Sequence, residues 1–209
     1  MVLLPVMDKR STQINAYSSA ISRYIALLKR YNQHTNIYSA KAYDHLPFHI
    51  ENCQELATII GDETHTIVDM GSGSGLPAII LAICLSNSSV FAVESKSRKT
   101  RFLTQVKNDL NLTNLTVINE DINVVIHNKT LKPSIITAKA FAPYNKVIQL
   151  SQKMVSQKKR PIQTTLYIPM SELQYKTLSQ QSNIPFSFSH TKDNHYFLYY
   201  KVPPLRHTG

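Results

Sequence analysis

Thr66-Ile-Val-Asp-Met-Gly-Ser-Gly-Ser-Gly-Leu-Pro77 is the stretch from which the architecture of this chain can be read. Its β-branched opening reads as a strand, and the apolar run at residues 78–85 behind it reads as a helix. Between them fall three of the five glycines in 209 residues, where average usage would place about fifteen in the whole chain. A chain that otherwise does without glycine needs backbone freedom here. Pro77 suits the first turn of a helix, where its missing N–H costs nothing. Strand, glycine turn and helix in that order open a nucleotide-binding βαβ unit. A tight turn with no ligand is the weaker reading of so concentrated a cluster.

The spacing narrows the ligand. A dinucleotide fingerprint reads G-x-G-x-x-G and holds a pyrophosphate at the helix N-terminus. Here the spacing is G-x-G-x-G, and Asp69 ends the strand just before it. A carboxylate there repels a pyrophosphate and suits a ligand bearing an amine and a sulfonium, of which S-adenosylmethionine is one. Glu94 ends the next apolar run, Val90-Phe-Ala-Val93, where an acid is placed to accept hydrogen bonds from both ribose hydroxyls. A third run, Leu115-Thr-Val-Ile118, ends in Asn119-Glu120-Asp121, which offers an acceptor for an adenine amine. The expected cofactor contacts are Asp69, Gly71, Ser72, Gly73, Gly75, Leu76, Glu94, Glu120 and Asp121. A nicotinamide-dependent oxidoreductase is disfavoured by Asp69 and by the spacing.

Outward from this unit, strands and helices alternate. Expected strands are 66–70, 90–94, 115–119, 134–139 and 163–168; expected helices are 77–86, 97–110 and 144–156. Residues 121–133 read as a short helix and a loop. Upstream, Ile14, Tyr17, Ile21, Tyr24 and Leu28 recur at helical spacing over 14–30, and 46–60 reads as a second helix. Near the end, residues 186–189 and 196–201 flank Thr191-Lys-Asp-Asn194 and read as a β-hairpin. The expected fold is α/β, a doubly wound Rossmann-like sheet with N-terminal helices and a C-terminal antiparallel hairpin. We expect one domain over 1–209, with 1–62 a helical cap and 63–209 the core.

The composition, 43% hydrophobic and 17% charged, is ordinary for a globular protein and too apolar for a disordered one. No apolar run approaches the ~20 residues of a membrane helix. The opening Met1-Val-Leu-Leu-Pro-Val-Met-Asp8 lacks the basic region of a signal peptide. A soluble, cytoplasmic chain is expected. Cys53 and Cys84 are too few for a disulfide framework and read as buried thiols. His127, His190 and His195 show no metal-ligand spacing, so no metal is expected. The formal charge is +10, and residues 122–171 carry eight bases and no acid. Lys96, Arg98, Lys99, Arg101 and Lys107 form a second cluster with no acid inside it. Such a balance is a polyanion footprint or a solvated basic face.

Val68-Asp-Met-Gly-Ser-Gly-Ser-Gly-Leu-Pro77, Glu94-Ser-Lys-Ser-Arg-Lys-Thr-Arg-Phe-Leu103 and Ala138-Lys-Ala-Phe-Ala142, in that order, resemble the RsmG (GidB) family. Tyr31-Asn-Gln-His-Thr-Asn36-Ile37 and His49-Ile50 resemble two further family segments, and the likeness covers about residues 14–150. The resemblance implies a class I methyltransferase that uses S-adenosylmethionine to methylate guanine N7 in 16S rRNA. It implies 16S rRNA or the small ribosomal subunit as partner; a monomer with no membrane partner is expected. Lys139 stands where the family usually has arginine, Glu51-Asn52 where it has Asp-Ser, and Tyr31 where tryptophan is common. Lysine keeps the charge at 139 without the bidentate fork.

The chemistry agrees with what is missing. Guanine N7 carries a lone pair and no proton, so methylation there needs positioning and no general base. Thr137-Ala-Lys-Ala-Phe-Ala-Pro143 lacks the Asn/Asp-Pro-Pro-aromatic box used on exocyclic amines, and it lacks a cysteine that could attack a pyrimidine. Lys139 and Phe141 are expected to position the reactants, Phe141 by stacking a base or else by packing in the core. His49, Arg98, Lys99, Arg101 and Lys139 are the expected RNA contacts, Lys139 also touching the cofactor. The alternatives are a methyltransferase for another RNA, a protein or a small molecule, and a non-catalytic rRNA-binding assembly factor that keeps the cofactor fold.

Overall fold

The computed structural model describes residues 9–156, 162–181, 185–191 and 194–203, and the side chains from residue 17 onward except at 40. Helix α1 (Lys9–Asn32) leads through a 3₁₀ turn (Ala40–His45) into α2 (Leu46–Ile60). Five parallel strands follow, β1 (Thr66–Met70), β2 (Ser89–Glu94), β3 (Leu115–Asn119), β4 (Ile135–Thr137) and β5 (Thr164–Met170). Helices α3 (Ala78–Cys84), α4 (Ser97–Asp109), α5 (Ile122–Val125) and α6 (Tyr144–Ser156) connect them. Helix α7 (Glu172–Ser179) precedes the hairpin β6 (Ser187–His190) and β7 (Tyr196–Val202), and β7 pairs antiparallel with β5. Of the expected hairpin turn, Lys192 and Asp193 lie outside the described residues.

The sheet order is β3-β2-β1-β4-β5-β7-β6. Strands 1 to 3 run outward in one direction and β4 starts again on the other side, so the order reverses between β1 and β4. In open α/β sheets ligands bind at that reversal, beyond the carboxyl ends of the strands. Alternation along β1 sends Ile67 into one core with α1 to α4, and Val68 and Met70 into the other with α5 to α7. Helices therefore cover both faces, which is why the parallel strands read as nearly continuous apolar runs.

Three expectations change. Strand β4 stops at Thr137 rather than 139, and Ala140 takes a positive φ of 51°, which turns the chain off the sheet. Strand β5 runs on to Met170 through Pro169, which pairs with Phe197 beyond the end of β4, where a missing N–H breaks no bond to that strand. Helix α7 was not expected at all; Ser171 and Gln174 begin it with a reciprocal capping box. Of the two cysteines Cys53 is buried and Cys84 only partly so. No helix among the described residues is long and apolar enough to cross a membrane.

Candidate active site

The glycine turn occupies the β1 side of the reversal. Gly71 and Ser72 donate their N–H groups to the Val93 carbonyl of β2, at 2.9 and 3.0 Å, so the turn is stitched across two strands. Gly71, Gly73 and Gly75 all have positive φ. At Gly71 a Cβ would come within 2.2 Å of the Phe141 ring, and at Gly75 within 2.4 Å of Ile79. Glycine is therefore needed here both for conformation and for close approach. From the helical cap, the buried Tyr24 hydroxyl donates to the Ser74 carbonyl at 2.9 Å, tying α1 to the same turn.

Glu94 ends β2 almost fully buried. One carboxylate oxygen accepts the Gly73 N–H at 3.0 Å and the other the Lys96 N–H at 2.9 Å. That fixes the carboxylate plane and leaves lone pairs free on both oxygens. The carboxylate borders a cavity of about 350 Å³ shared with Gly71, Lys99, Glu120, Asp121 and Phe141. Asp121 caps α5 through the Asn123 N–H, which holds its carboxyl below the usual range. Asp69 lies beneath the turn with no exposed surface; one oxygen accepts the Thr137 hydroxyl at 2.8 Å and the other, Oδ2, is buried without a hydrogen-bond partner. Burial pushes its carboxyl up to about 6. Of the other expected contacts, Asp69, Ser72, Gly75 and Leu76 are buried in the packing, and neither they nor Gly73 line the cavity.

Beyond β4 the segment from Lys139 to Ala142 forms a partition. Ala140 and Ala142 line both this cavity and a second one of about 430 Å³. Phe141 turns to the first cavity and packs over Gly71. Lys139 and His49 line the second. The Lys139 ammonium is close enough to Asp69, Cys53 and His49 to influence all three, and its own burial lowers its pKa. Burial first, then Lys139, lowers His49 to about 4, so its ring is neutral near pH 7. The Tyr38 hydroxyl lies 2.5 Å from His49 Nδ1 and orients the ring.

The basic residues expected to contact RNA are spread over several surfaces. Lys99 borders the first cavity and Lys139 the second. The Arg98 guanidinium donates to the Asn36 carbonyl at 3.1 Å and lines a separate polar groove with His34 and Lys41. Arg101 is exposed on α4 and borders none of the three. Tyr38 and Phe48 are not among the residues expected from the sequence, and Asn52 enters there only as a departure from the family's pattern. Phe48 carried a usable signal, since it is an aromatic that falls off the apolar stripe Leu46, Ile50, Cys53, Ala57 of its helix.

Residues 17–181 match the family model described as rRNA small subunit methyltransferase G, GidB. A protein of that name from Brachyspira hyodysenteriae is 33% identical over 162 residues, 77% of each chain. One from Marinomonas sp. is 34% identical over 128 residues, 60% of this chain and 59% of that protein. The chain spans less than two thirds of the length of several such relatives, 48% for the one from Pseudomonas entomophila. A methyltransferase structure from Geobacter sulfurreducens superimposes with a TM-score of 0.58 at 14% identity, over 97% of this chain and 100% of that one. A substituted MtNAS in complex with S-adenosylmethionine gives 0.58 at 18% identity, over 91% of this chain and 78% of that one. These two likenesses speak for the fold alone, a Rossmann-like α/β sheet. On the breadth of the family match, the chain belongs to the rRNA small subunit methyltransferase G (GidB) family.

Proposed function

We propose that this chain transfers the methyl group of S-adenosylmethionine to N7 of a guanine in small-subunit ribosomal RNA, in the cytoplasm where that RNA is assembled. The observation that carries the reading is the cavity beside the glycine turn, where the strand-end acids Glu94, Glu120 and Asp121 meet, in a chain of this family. The residues fit the cofactor. Glu94 keeps lone pairs free for two ribose hydroxyls, Glu120 and Asp121 offer acceptors for the adenine amine, and the buried Asp69 carboxyl lies beneath the turn that borders the cavity. Bound there, the cofactor supplies an electrophilic methyl group on a sulfonium.

The protein's own part is positioning. The small side chains of Ala140 and Ala142 are the wall between the two cavities, which keeps their occupants close. Lys139 brings a cation to the second cavity, where a nucleotide phosphate would face it. His49 is held by Tyr38 and, lowered to about 4, is a weak base, in keeping with a reaction that needs no proton removed. The test is to incubate the protein with labelled S-adenosylmethionine and small ribosomal subunits and to map N7-methylguanine by chemical cleavage. Label at one guanine N7 is the expected result. Label on an exocyclic nitrogen or a ring carbon would overturn the assignment.

A further inference from the structure

The two cavities differ in their charged groups as well as in place. Glu94, Glu120 and Asp121 border the first together with Lys96, Lys99 and Lys146, so acids and bases balance there, whereas the titratable groups bordering the second are His49, Lys139 and Tyr144, with no acid among its lining residues. At the edge of the second cavity stands Phe48, 45% exposed in the first turn of α2. One side of its ring rests on the His195 imidazole, with centroids 4.7 Å apart and planes 32° from parallel. His195 is itself buried, and its Nδ1 is hydrogen-bonded to the Asn52 amide at 3.3 Å. The Phe48 ring is therefore backed by a fixed surface contributed by β7's approach, some 150 residues away in the chain.

Single exposed apolar side chains are common and need no explanation. Phe48 differs in three ways. It lies off its helix's apolar stripe, its ring is braced from behind, and it borders a cavity that holds a cation and no acid. A flat apolar face next to an ammonium matches an unpaired nucleotide, which offers a base to stack and a phosphate to pair. We infer that Phe48 is the stacking platform for the nucleobase that enters the second cavity, with Lys139 facing the phosphate of that nucleotide. This deepens the proposed reaction and rests on it, because the base so held is the one presented across the Ala140 wall.

The chain contains no tryptophan, so Phe48→Trp creates a single fluorescent reporter at the platform. A hairpin carrying an unpaired guanine in its loop should quench that emission, and a fully paired RNA of equal length should not. Phe48→Ala should weaken hairpin binding about tenfold, the effect of losing one stacked base. Calorimetry should show the same affinity for S-adenosylmethionine as the parent protein. Emission unmoved at saturating hairpin, or equal hairpin affinity in Phe48→Ala and the parent, overturns the inference. The two readings fail separately. Quenching without any methyl transfer leaves the platform standing and removes the reaction. Undiminished methylation by Phe48→Ala with no quenching in Phe48→Trp removes the platform alone. A hairpin that the parent protein does not bind overturns the platform as well.

Discussion

Asp69 holds a carboxyl where water does not reach, and its burial, only partly offset by the Ser72 and Thr137 hydroxyls, the Ala78 N–H and the Lys139 charge, pushes it from 3.8 up to about 6. The folded protein therefore favours the protonated form. The stability this contributes is complete below about pH 4 and is lost as the pH rises through 6. A ligand that brings a cation near Oδ2 favours the opposite state. Cofactor binding should release a proton and tighten between pH 5 and 7, by up to about tenfold for each unit over which Asp69 is still protonated. Titration calorimetry at pH 5, 6 and 7 checks this. The Asp69→Asn variant should give a flat profile, and a flat profile in the parent would contradict the argument. Glu94 makes a second prediction at this scale. Glu94→Ala removes the acceptor for the cofactor ribose and also releases the Gly73 and Lys96 N–H groups. Its affinity for S-adenosylmethionine should fall by about 1–3 kcal/mol, the cost of a lost charged acceptor; unchanged binding would take Glu94 out of the site. Both acids were legible in the sequence because each falls at or next to the end of an apolar strand, a signal carried by adjacent residues. Phe48 and Asn52 gain their meaning only from His195, which no local pattern connects to them.

At the level of elements, the glycine turn works because helices on two sides press against it. Gly75 has a φ of +100°, and a Cβ there would meet Ile79 of α3 at 2.4 Å and Leu103 of α4 at 3.1 Å. Gly75→Ala would combine backbone strain with overpacking, and should destabilise the fold by about 2–4 kcal/mol. Denaturant unfolding measures this, and a loss under ~1 kcal/mol would mean that α3 and α4 can shift apart. The same packing explains which elements could be read in advance. Strands β1 and β3 and helices α2 and α6 have the expected limits because their apolar periodicity is strong and their ends carry charge or turn residues. Strand β4 ends early because Ala140 adopts a left-handed conformation that sequence assigns to glycine or asparagine. Helix α7 escaped periodicity because Leu178 is its one buried residue, although the Ser171 to Gln174 spacing that caps it was present.

Across the whole molecule, charge is sorted by the sheet's polarity. The acid-free stretch 122–171 suggested one continuous footprint, but the fold divides it. Lys139 and Lys146 lie at the carboxyl ends of the parallel strands, on the two cavities, whereas Lys132 precedes β4 at the opposite edge and is exposed there. A βα chain that passes back and forth through a sheet puts neighbouring lysines on opposite sides, which composition by segment does not register. Net charge of +10 favours any polyanion, so affinity for RNA by itself does not identify the face that binds. Salt dependence does. Each phosphate contact to single-stranded RNA contributes about −0.7 to the slope of log affinity against log salt. Lys139→Ala should therefore flatten the slope by about 0.7, lower methyl transfer and leave cofactor affinity nearly intact. Lys139→Arg should keep or raise activity, since its guanidinium adds a bidentate grip on phosphate. Lys132→Ala should leave the slope unchanged although it removes the same formal charge. Binding measured from 50 to 200 mM salt separates these cases, and equal slopes for the two alanine variants would mean that RNA reads the protein's overall charge rather than the edge where the cavities open.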